Sequence, residues 1–574
     1  MQFVIALICL ASVCSSAIVK LPRQTSNNTT KYAVKRPPLT TPWTYDAGTD
    51  PWPEYPRPQL QRSQWRSLNG IWTYQNATSL NAVNAPPFKQ SLAHEVLVPS
   101  CLESGLSGIQ GEYMLYSWFA TSFDVPSSFT GNRVLLNFGA IDYEAAIFVN
   151  GHYASFHRGG YFAFTVDVTH YLAASGSNEL LIFVHDPTDS DPYVIPIGKQ
   201  TLRPSHIFYR PCSGIWQTGM DGQVSATVSS LHKAGQSVSI SILKRGSNET
   251  LCAHNGSADT PFLFSVNSPS LWSPDSPTLY DLIVSMGEDK VTSYTGFRTI
   301  SRGMVDGIER PLLNGEFVFQ FGTLDQGFWP DGIHLPPNRE AMVYDLQTLK
   351  KLGFNMLRKH IKVEPALYYQ ACDEMGLLLD LMIVQQRPFP SIVTWVVYNE
   401  GWGQLVDPAN GYPEFSLTDR VKELDPTRLV DSTSGWFDHG AGDFSDNHHY
   451  ANPQCGSPFY SIQSTPYDPT RIGIQGEFGG IGNNVSINHL WNVQAAIDTI
   501  NQTYEIDTTL AAWNYRGHRL LGELRDQIAM YSCSAGVCTQ TTDVEGEVNG
   551  LLTYDRRVLR PDVAQWQADI QGFV

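Results

Sequence analysis

From residue 303 to the C-terminus, short apolar runs of strand length alternate with amphipathic stretches of helix length, and this alternation restricts the fold more than any other feature. Two parallel strands cannot be joined by a tight turn, so each needs a crossover, and a helix is the usual one. Strands are predicted at 317–322, 355–360, 377–382, 393–400, 429–434 and 472–478, with another ending near His448 and the last bracketed by 537–542 and 551–554. Helices are predicted at 339–352, with Asp345, Lys350 and Lys351 on the polar side, and at 365–375. About eight such strands predict a (β/α)8 barrel.

At 574 residues the chain exceeds what a single core supports. Residues 58–220 carry short alternating runs bounded by Gly, Pro, Ser and Asn, among them 133–138, 145–149 and 179–184, which read as an all-β sandwich. A smaller β unit follows over about 223–301, with strands at 237–243 and 279–284, and reads as an immunoglobulin-type spacer. The organisation is therefore a signal peptide at 1–17, an exposed leader at 18–45, then units at 46–222, 223–302 and 303–574.

The signal peptide rests on an apolar run at 3–13 followed by Ser15, Ser16 and Ala17; the run is too short to span a bilayer. Acceptor sequons at Asn27, Asn28, Asn76, Asn248, Asn255, Asn484 and Asn501 join it in predicting a secreted, extracellular glycoprotein. Cys9 and Cys14 leave with the signal, and the rest of the nine cysteines are too sparse for a disulfide framework; Cys533 and Cys538 either pair or are buried thiols. A net charge of −17 excludes nucleic acid and polybasic membrane contact but not a neutral substrate. Fourteen Trp and 26 Tyr suit stacking on sugar rings, and equally suit large β cores.

In a barrel of this kind the reactive groups stand at the C-terminal ends of the strands. Glu400 ends the run Thr394-Trp395-Val396-Val397-Tyr398-Asn399, and Glu477 ends Ile472-Gly473-Ile474-Gln475-Gly476. Two carboxyl groups so placed supply what acetal cleavage needs: a proton for the departing oxygen and an anion to meet the oxocarbenium ion. Asp446, His448, His449 and Tyr450 fall at the end of the sixth strand. Adjacent histidines on a strand point to opposite faces, so one can bind a hydroxyl but both cannot share a metal. Asp543, Glu545 and Glu547, near the eighth strand, either wall the pocket or are solvated. No spacing of ligands calls for a metal, and nothing calls for a cofactor.

The string Tyr398-Asn399-Glu400-Gly401-Trp402-Gly403 resembles the acid/base segment of glycoside hydrolase family 2, the group of β-galactosidases, β-glucuronidases and β-mannosidases, and Gly476-Glu477-Phe478-Gly479-Gly480 resembles its nucleophile segment. Leu68-Asn69-Gly70-Ile71-Trp72, Val149-Asn150-Gly151-His152 and Ser213-Gly214-Ile215-Trp216 are similar to the family's jelly-roll sugar-binding-like domain. Leu271-Trp272-Ser273-Pro274 and Gly296-Phe297-Arg298 are similar to its immunoglobulin-like domain. The resemblance implies a jelly roll, an immunoglobulin-like sandwich and a (β/α)8 barrel, and a retaining exo-β-glycosidase acting on a β-galactoside-like or β-glucuronide-like carbohydrate. It implies Glu400 as acid/base, Glu477 as nucleophile, and carboxyls about 5 to 5.5 Å apart. Asn399 would bind the sugar 2-hydroxyl, and Arg358 and His360 would flank the nucleophile, unless they form an internal ion pair. Asp325 within 322–329, Trp402, His449 and Tyr450 complete the expected substrate contacts, with Trp329 and Trp402 each either platform or core.

One stretch departs from the family. Only ten residues, 383–392, join the third and fourth strands, with Pro388 and Pro390 among them, where the family carries a long loop and a full helix. A missing helix predicts exposed apolar faces on its neighbours, and opens a second reading of the chain as a carbohydrate-binding protein without turnover.

Overall fold

The computed structural model describes residues 29–129, 131–189, 195–221, 235–259, 265–380, 383–404, 411–455, 468–502 and 505–573. The signal peptide, most of the leader and the sequons at Asn27 and Asn28 lie outside them.

The N-terminal unit is a jelly-roll sandwich of two antiparallel sheets. Its larger sheet runs in the order His94–Val98, Gly70–Asn76, Tyr116–Phe123, Asn178–His185, Glu144–Val149, His152–Arg158, and the smaller is built on Gly214–Asp221 and Leu135–Asp142. Alternation along each strand turns Trp72, Phe119, Ile147, Ile182, Leu136 and Ile215 into one core between them. The immunoglobulin-like unit centres on a four-stranded antiparallel sheet, Thr250–Ser257, Ser237–Lys244, Tyr280–Met286 and Asp289–Thr295. Ile300–Val305, Ile308–Leu313 and Glu316–Phe317 form a further sheet leading into the barrel.

Eight parallel strands then make the barrel: Gln320–Asp325, Met356–Lys359, Leu378–Asp380, Ile392–Asn399, Leu429–Ser434, Phe444–His448, Ile472–Gly479 and Cys533–Thr539. The first pairs with both the second and the eighth, and the fifth and sixth are the two ends of a nearly closed ring, with an isolated bridge from Asp431 to Gly442 just before the sixth. The first strand begins three residues later than predicted, and 551–554 is not a strand but a loop bridged to Thr542. Helix Arg339–Leu352 forms where predicted because its ends are written into the sequence. Asn338 caps Ala341 N–H, Lys350 and Lys351 occupy the last turn, and Gly353 (φ 104°) stops it in the left-handed region. Met342, Leu346, Leu349 and Leu352 form its buried stripe. Asp345 corrects the predicted polar face: it is buried and paired with Arg556 at 3.1 Å.

Three further expectations are corrected. Residues 29–45 are not an exposed leader: Leu39 and Trp43 are buried, and Thr41 and Thr44 both donate to the buried carboxylate of Asp331. Cys533 pairs with Cys455, not Cys538, which is a buried free thiol, and Cys101 pairs with Cys212. The short crossover holds a single helical turn, Ile383–Gln386, yet the third and fourth strands still pair in parallel. Phe389, buried against Tyr369, fills space beside the third strand that a helix face would otherwise cover. The predicted exposed apolar face appears instead on the next helix, Pro413–Leu424, where Phe415 and Leu417 face solvent.

Candidate active site

Glu400 follows the fourth strand in the left-handed region (φ 52°), anchored by its N–H to Ser434 O at 2.8 Å. A non-glycine residue there is strained, a cost met where the chain must aim a side chain into a site. Glu477 lies inside the seventh strand, buried, and projects into the same space. Glu400, Glu477 and His448 each offer an atom such that all three lie within 4.8 Å of one another.

Around this pair the contacts interlock. Arg358, from the second strand, donates to Glu477 Oε1 at 2.9 Å and to Asn399 Oδ1 at 2.8 Å, fixing nucleophile candidate and neighbouring amide together. Tyr450 O–H donates to Glu477 Oε2 at 2.6 Å and lies 3.5 Å from Glu400 Oε1. His360 Nδ1 lies 3.4 Å from the Arg358 guanidinium; burial and the charges of Lys199, Arg358 and His448 hold its pKa well below the usual value, so it is a neutral imidazole. Asn399, Glu400, Glu477, Arg358, His360 and Tyr450 are thus brought together as expected.

The sixth strand corrects the choice of histidine. His449 turns its Nδ1 to Asn452 O at 2.6 Å, away from the carboxylates. His448 is fully buried, with Nδ1 2.8 Å from Glu400 Oε1 and Nε2 2.8 Å from Ser434 Oγ, which itself donates to Asp446 Oδ2 at 2.6 Å. Asp446 and His448 are two residues apart and share the inward face, so strand parity with Asp446 was the signal that selected His448. Gly476 gives Asp446 its room, since a Cβ there would meet that carboxylate. Burial raises the pKa of Glu400, but the His448 hydrogen bond and the charges of His448, Arg358 and Lys199 outweigh it and leave it below the ordinary carboxylate value. Burial lowers the pKa of His448, and the carboxylates of Glu477, Glu400 and Asp446 reverse this and raise it. Both shifts favour the carboxylate beside the imidazolium.

Asp325 accepts from Lys359 Nζ at 3.0 Å, Tyr368 O–H at 2.5 Å and Gly327 N–H at 2.9 Å, so it anchors the first strand's loop. Trp329 is core, with the Arg556 guanidinium 3.7 Å from its ring centre, whereas Trp402 is 65% exposed. Asp543, Glu545 and Glu547 are not solvated: Asp543 pairs with Arg560 at 2.8 Å, Glu545 accepts Arg210 N–H with burial pushing its pKa to about 7, and Glu547 accepts Tyr209 O–H. Lys199 and Phe208, on a jelly-roll loop, were missed. Lys199 is half-buried and its charge reaches Glu400 and His360, while Phe208 meets Trp402 edge-on at 6.1 Å. A contact between units distant in sequence leaves no local pattern to read.

Residues 110–200 match the family model described as the sugar binding domain of glycosyl hydrolases family 2, and residues 216–298 match the model described as glycosyl hydrolases family 2. Both matched regions are thus domains of glycosyl hydrolases family 2. A Formosa agariphila protein named "Putative beta-glucuronidase" is 24% identical to this chain over 446 residues, covering 66% of the chain and 52% of that protein. A beta-galactosidase of Halalkalibacterium halodurans is 21% identical over 595 residues, covering 86% and 55%. The chain thus spans about half the length of these curated relatives. The same fold is seen in the beta-glucuronidase of Lactobacillus rhamnosus (TM-score 0.66, 16% identity, covering 89% of this chain and 98% of that one) and of Ruminococcus gnavus (TM-score 0.67, 15% identity, covering 89% and 99%).

Proposed function

We propose that this chain hydrolyses terminal, non-reducing β-glycosidic bonds by a retaining double displacement. The observation that carries the reading is the spacing of its carboxylates: Glu400 and Glu477 present oxygens within 4.8 Å of each other. Pairs about 5 to 5.5 Å apart leave no room for a water between the second carboxylate and the anomeric carbon, which is the condition for a covalent route; inverting pairs stand about 6.5 to 9.5 Å apart. Glu477 is the nucleophile, since the Arg358 guanidinium and the Tyr450 hydroxyl on its two oxygens favour the anion and aim it. Glu400 is the acid/base. Its proton is carried on His448 in the resting site and moves across the 2.8 Å hydrogen bond as the leaving group departs. Asn399, held by Arg358, is set to bind the sugar 2-hydroxyl.

Glu400, His448 and Glu477 also form a trio able to ligate a divalent ion. We read them as acid–base machinery because Glu477 already carries a guanidinium on one oxygen, which opposes a second cation there. The relatives' names and the half-buried Lys199 support a β-glucuronide-like substrate, with a β-galactoside-like one as the other candidate. The described sequon residues Asn76, Asn248, Asn255, Asn484 and Asn501 are all exposed, and two disulfides suit an oxidising compartment; both support a secreted glycoprotein.

The decisive experiment incubates the chain with a panel of 2-deoxy-2-fluoro β-glycosides bearing good leaving groups. Labelling of the Glu477 peptide, seen as a mass increase of one fluorosugar and lost in Glu477→Gln, is expected. Turnover of aryl β-glycosides undiminished in Glu477→Gln would refute the mechanism.

A further inference from the structure

We propose that Trp402, Phe437 and Phe208 build the subsite for the leaving group, and that it selects a neutral leaving group with a flat apolar face, either an aromatic ring or the C–H face of a second sugar. This rests on the reading of the pocket as a β-glycosidase site and assigns a part of the substrate that the carboxylates do not touch.

Aromatic side chains exposed singly are ordinary, but rings grouped at the mouth of a site mark a surface that a ligand can cover. Trp402 is 65% exposed and Phe437 50% exposed, and both belong to the turn that carries Glu400 or pack directly on it. Trp402 stands two residues past Glu400, its N–H on Asn399 O at 2.9 Å. Gly401, at φ 77°, lets Phe437 lie against this turn: a Cβ there would come within 2.6 Å of the Phe437 ring. Gln404 ties the two loops, donating to Thr433 Oγ1 at 2.7 Å and to Phe437 O at 3.4 Å. From the jelly-roll side, Phe208 closes on Trp402 edge-to-face. The rings are therefore held, not loose.

Their position decides what they meet. A general acid must reach the glycosidic oxygen, so the groups that flank Glu400 on its solvent side border the departing group and not the sugar bound against Glu477. A rigid aromatic wall there stacks on flat, apolar faces and gives nothing to a small alkyl group.

The test compares kcat/KM on three substrates of one sugar: an aryl β-glycoside, a β-linked disaccharide and the methyl β-glycoside. The full-length chain is measured beside Trp402→Ala, Phe437→Ala and Trp402→Phe. Each alanine variant is expected to lose about three- to tenfold on the aryl glycoside, the disaccharide or both, the size of one ring contact, with the methyl glycoside within about twofold of wild type and Trp402→Phe recovering most of the loss. A fall on the aryl substrate alone identifies aromatic leaving groups as the preferred class, and on the disaccharide alone a second sugar. Equal losses on all three substrates, or no loss on any, would overturn the subsite while leaving the glycosidase reading standing. No turnover of any substrate by wild type would overturn both.

Discussion

The surroundings of Glu400 and His448 favour a carboxylate beside an imidazolium, and that has a measurable consequence. Glu400 and His448 share a hydrogen bond, so their protons leave in macroscopic steps that belong to the pair and not to either residue alone. Because His448 is raised above histidine's ordinary value, the alkaline limb of kcat/KM is expected above about pH 6.5. His448→Phe removes the proton store. The limb then belongs to Glu400 alone and is expected to move down toward the carboxylate range, with kcat lowered about tenfold or more at neutral pH. A limb that stays in place in the pH profile of His448→Phe would show that His448 only packs. The two glutamates were legible from sequence because each closes a strand-length apolar run. The charge balance between them was not, since Lys199, Arg358 and His448 come from three separate places in the chain.

At the scale of elements, the short crossover shows how a barrel survives the loss of a helix. The carbonyls that a helix would have bonded internally are met by two arginines instead. Arg298, from the immunoglobulin-like unit, donates to Pro390 O at 2.6 Å and Ile392 O at 2.7 Å. Arg428, just before the fifth strand, donates to Arg387 O, Phe389 O and Ile392 O at 2.7 to 2.9 Å. Burial lowers the pKa of Arg298 to about 9, so it stays charged at neutral pH. Arg298→Met leaves Pro390 O unpaired, while Ile392 O keeps Arg428, and is therefore expected to lower stability by about 1 to 3 kcal/mol, seen as a lower denaturant midpoint. An unchanged midpoint would mean that water takes over the bond to Pro390 O. Phe389→Ala removes the buried ring beside Tyr369 and is expected to cost about 3 to 5 kcal/mol in the same assay. The length of the linker was plain in the sequence, and so was the prediction of exposed apolar surface. That arginines from two other elements would secure it was not, because each lies at least 36 residues from the carbonyls of Ile392 that it reaches.

Across the whole molecule, the two disulfides fasten the loops that complete the site. Cys101–Cys212 ties down the jelly-roll loop bearing Lys199 and Phe208, and Cys455–Cys533 ties the loop bearing Tyr450 to the start of the eighth strand. Each closes a long stretch of chain, with separations of 111 and 78 residues, for which loop-closure entropy gives about 4 to 5 kcal/mol. The double variant Cys455→Ser/Cys533→Ser is expected to unfold at lower temperature. It should also lose kcat, as Tyr450 drifts from Glu477, with less effect on a variant already lacking the tyrosine hydroxyl. Equal kcat losses in Tyr450→Phe with and without the disulfide would separate the clamp from the hydroxyl. Five exposed sequon asparagines predict a fall in mass when the chain, expressed in a secreting host, is treated with an endoglycosidase.

The sequence by itself determined the strands, the capped helix 339–352, the barrel and the two glutamates at its mouth, because periodicity, capping and strand ends are local and are written within a few residues. Only the tertiary structure decided which histidine faces Glu400, that Asp325 accepts from Lys359 and Tyr368, which cysteines pair, and that Thr41 and Thr44 meet Asp331. Those outcomes depend on charges and surfaces that meet across hundreds of residues, and a partner's identity is set by the packing that brings it there.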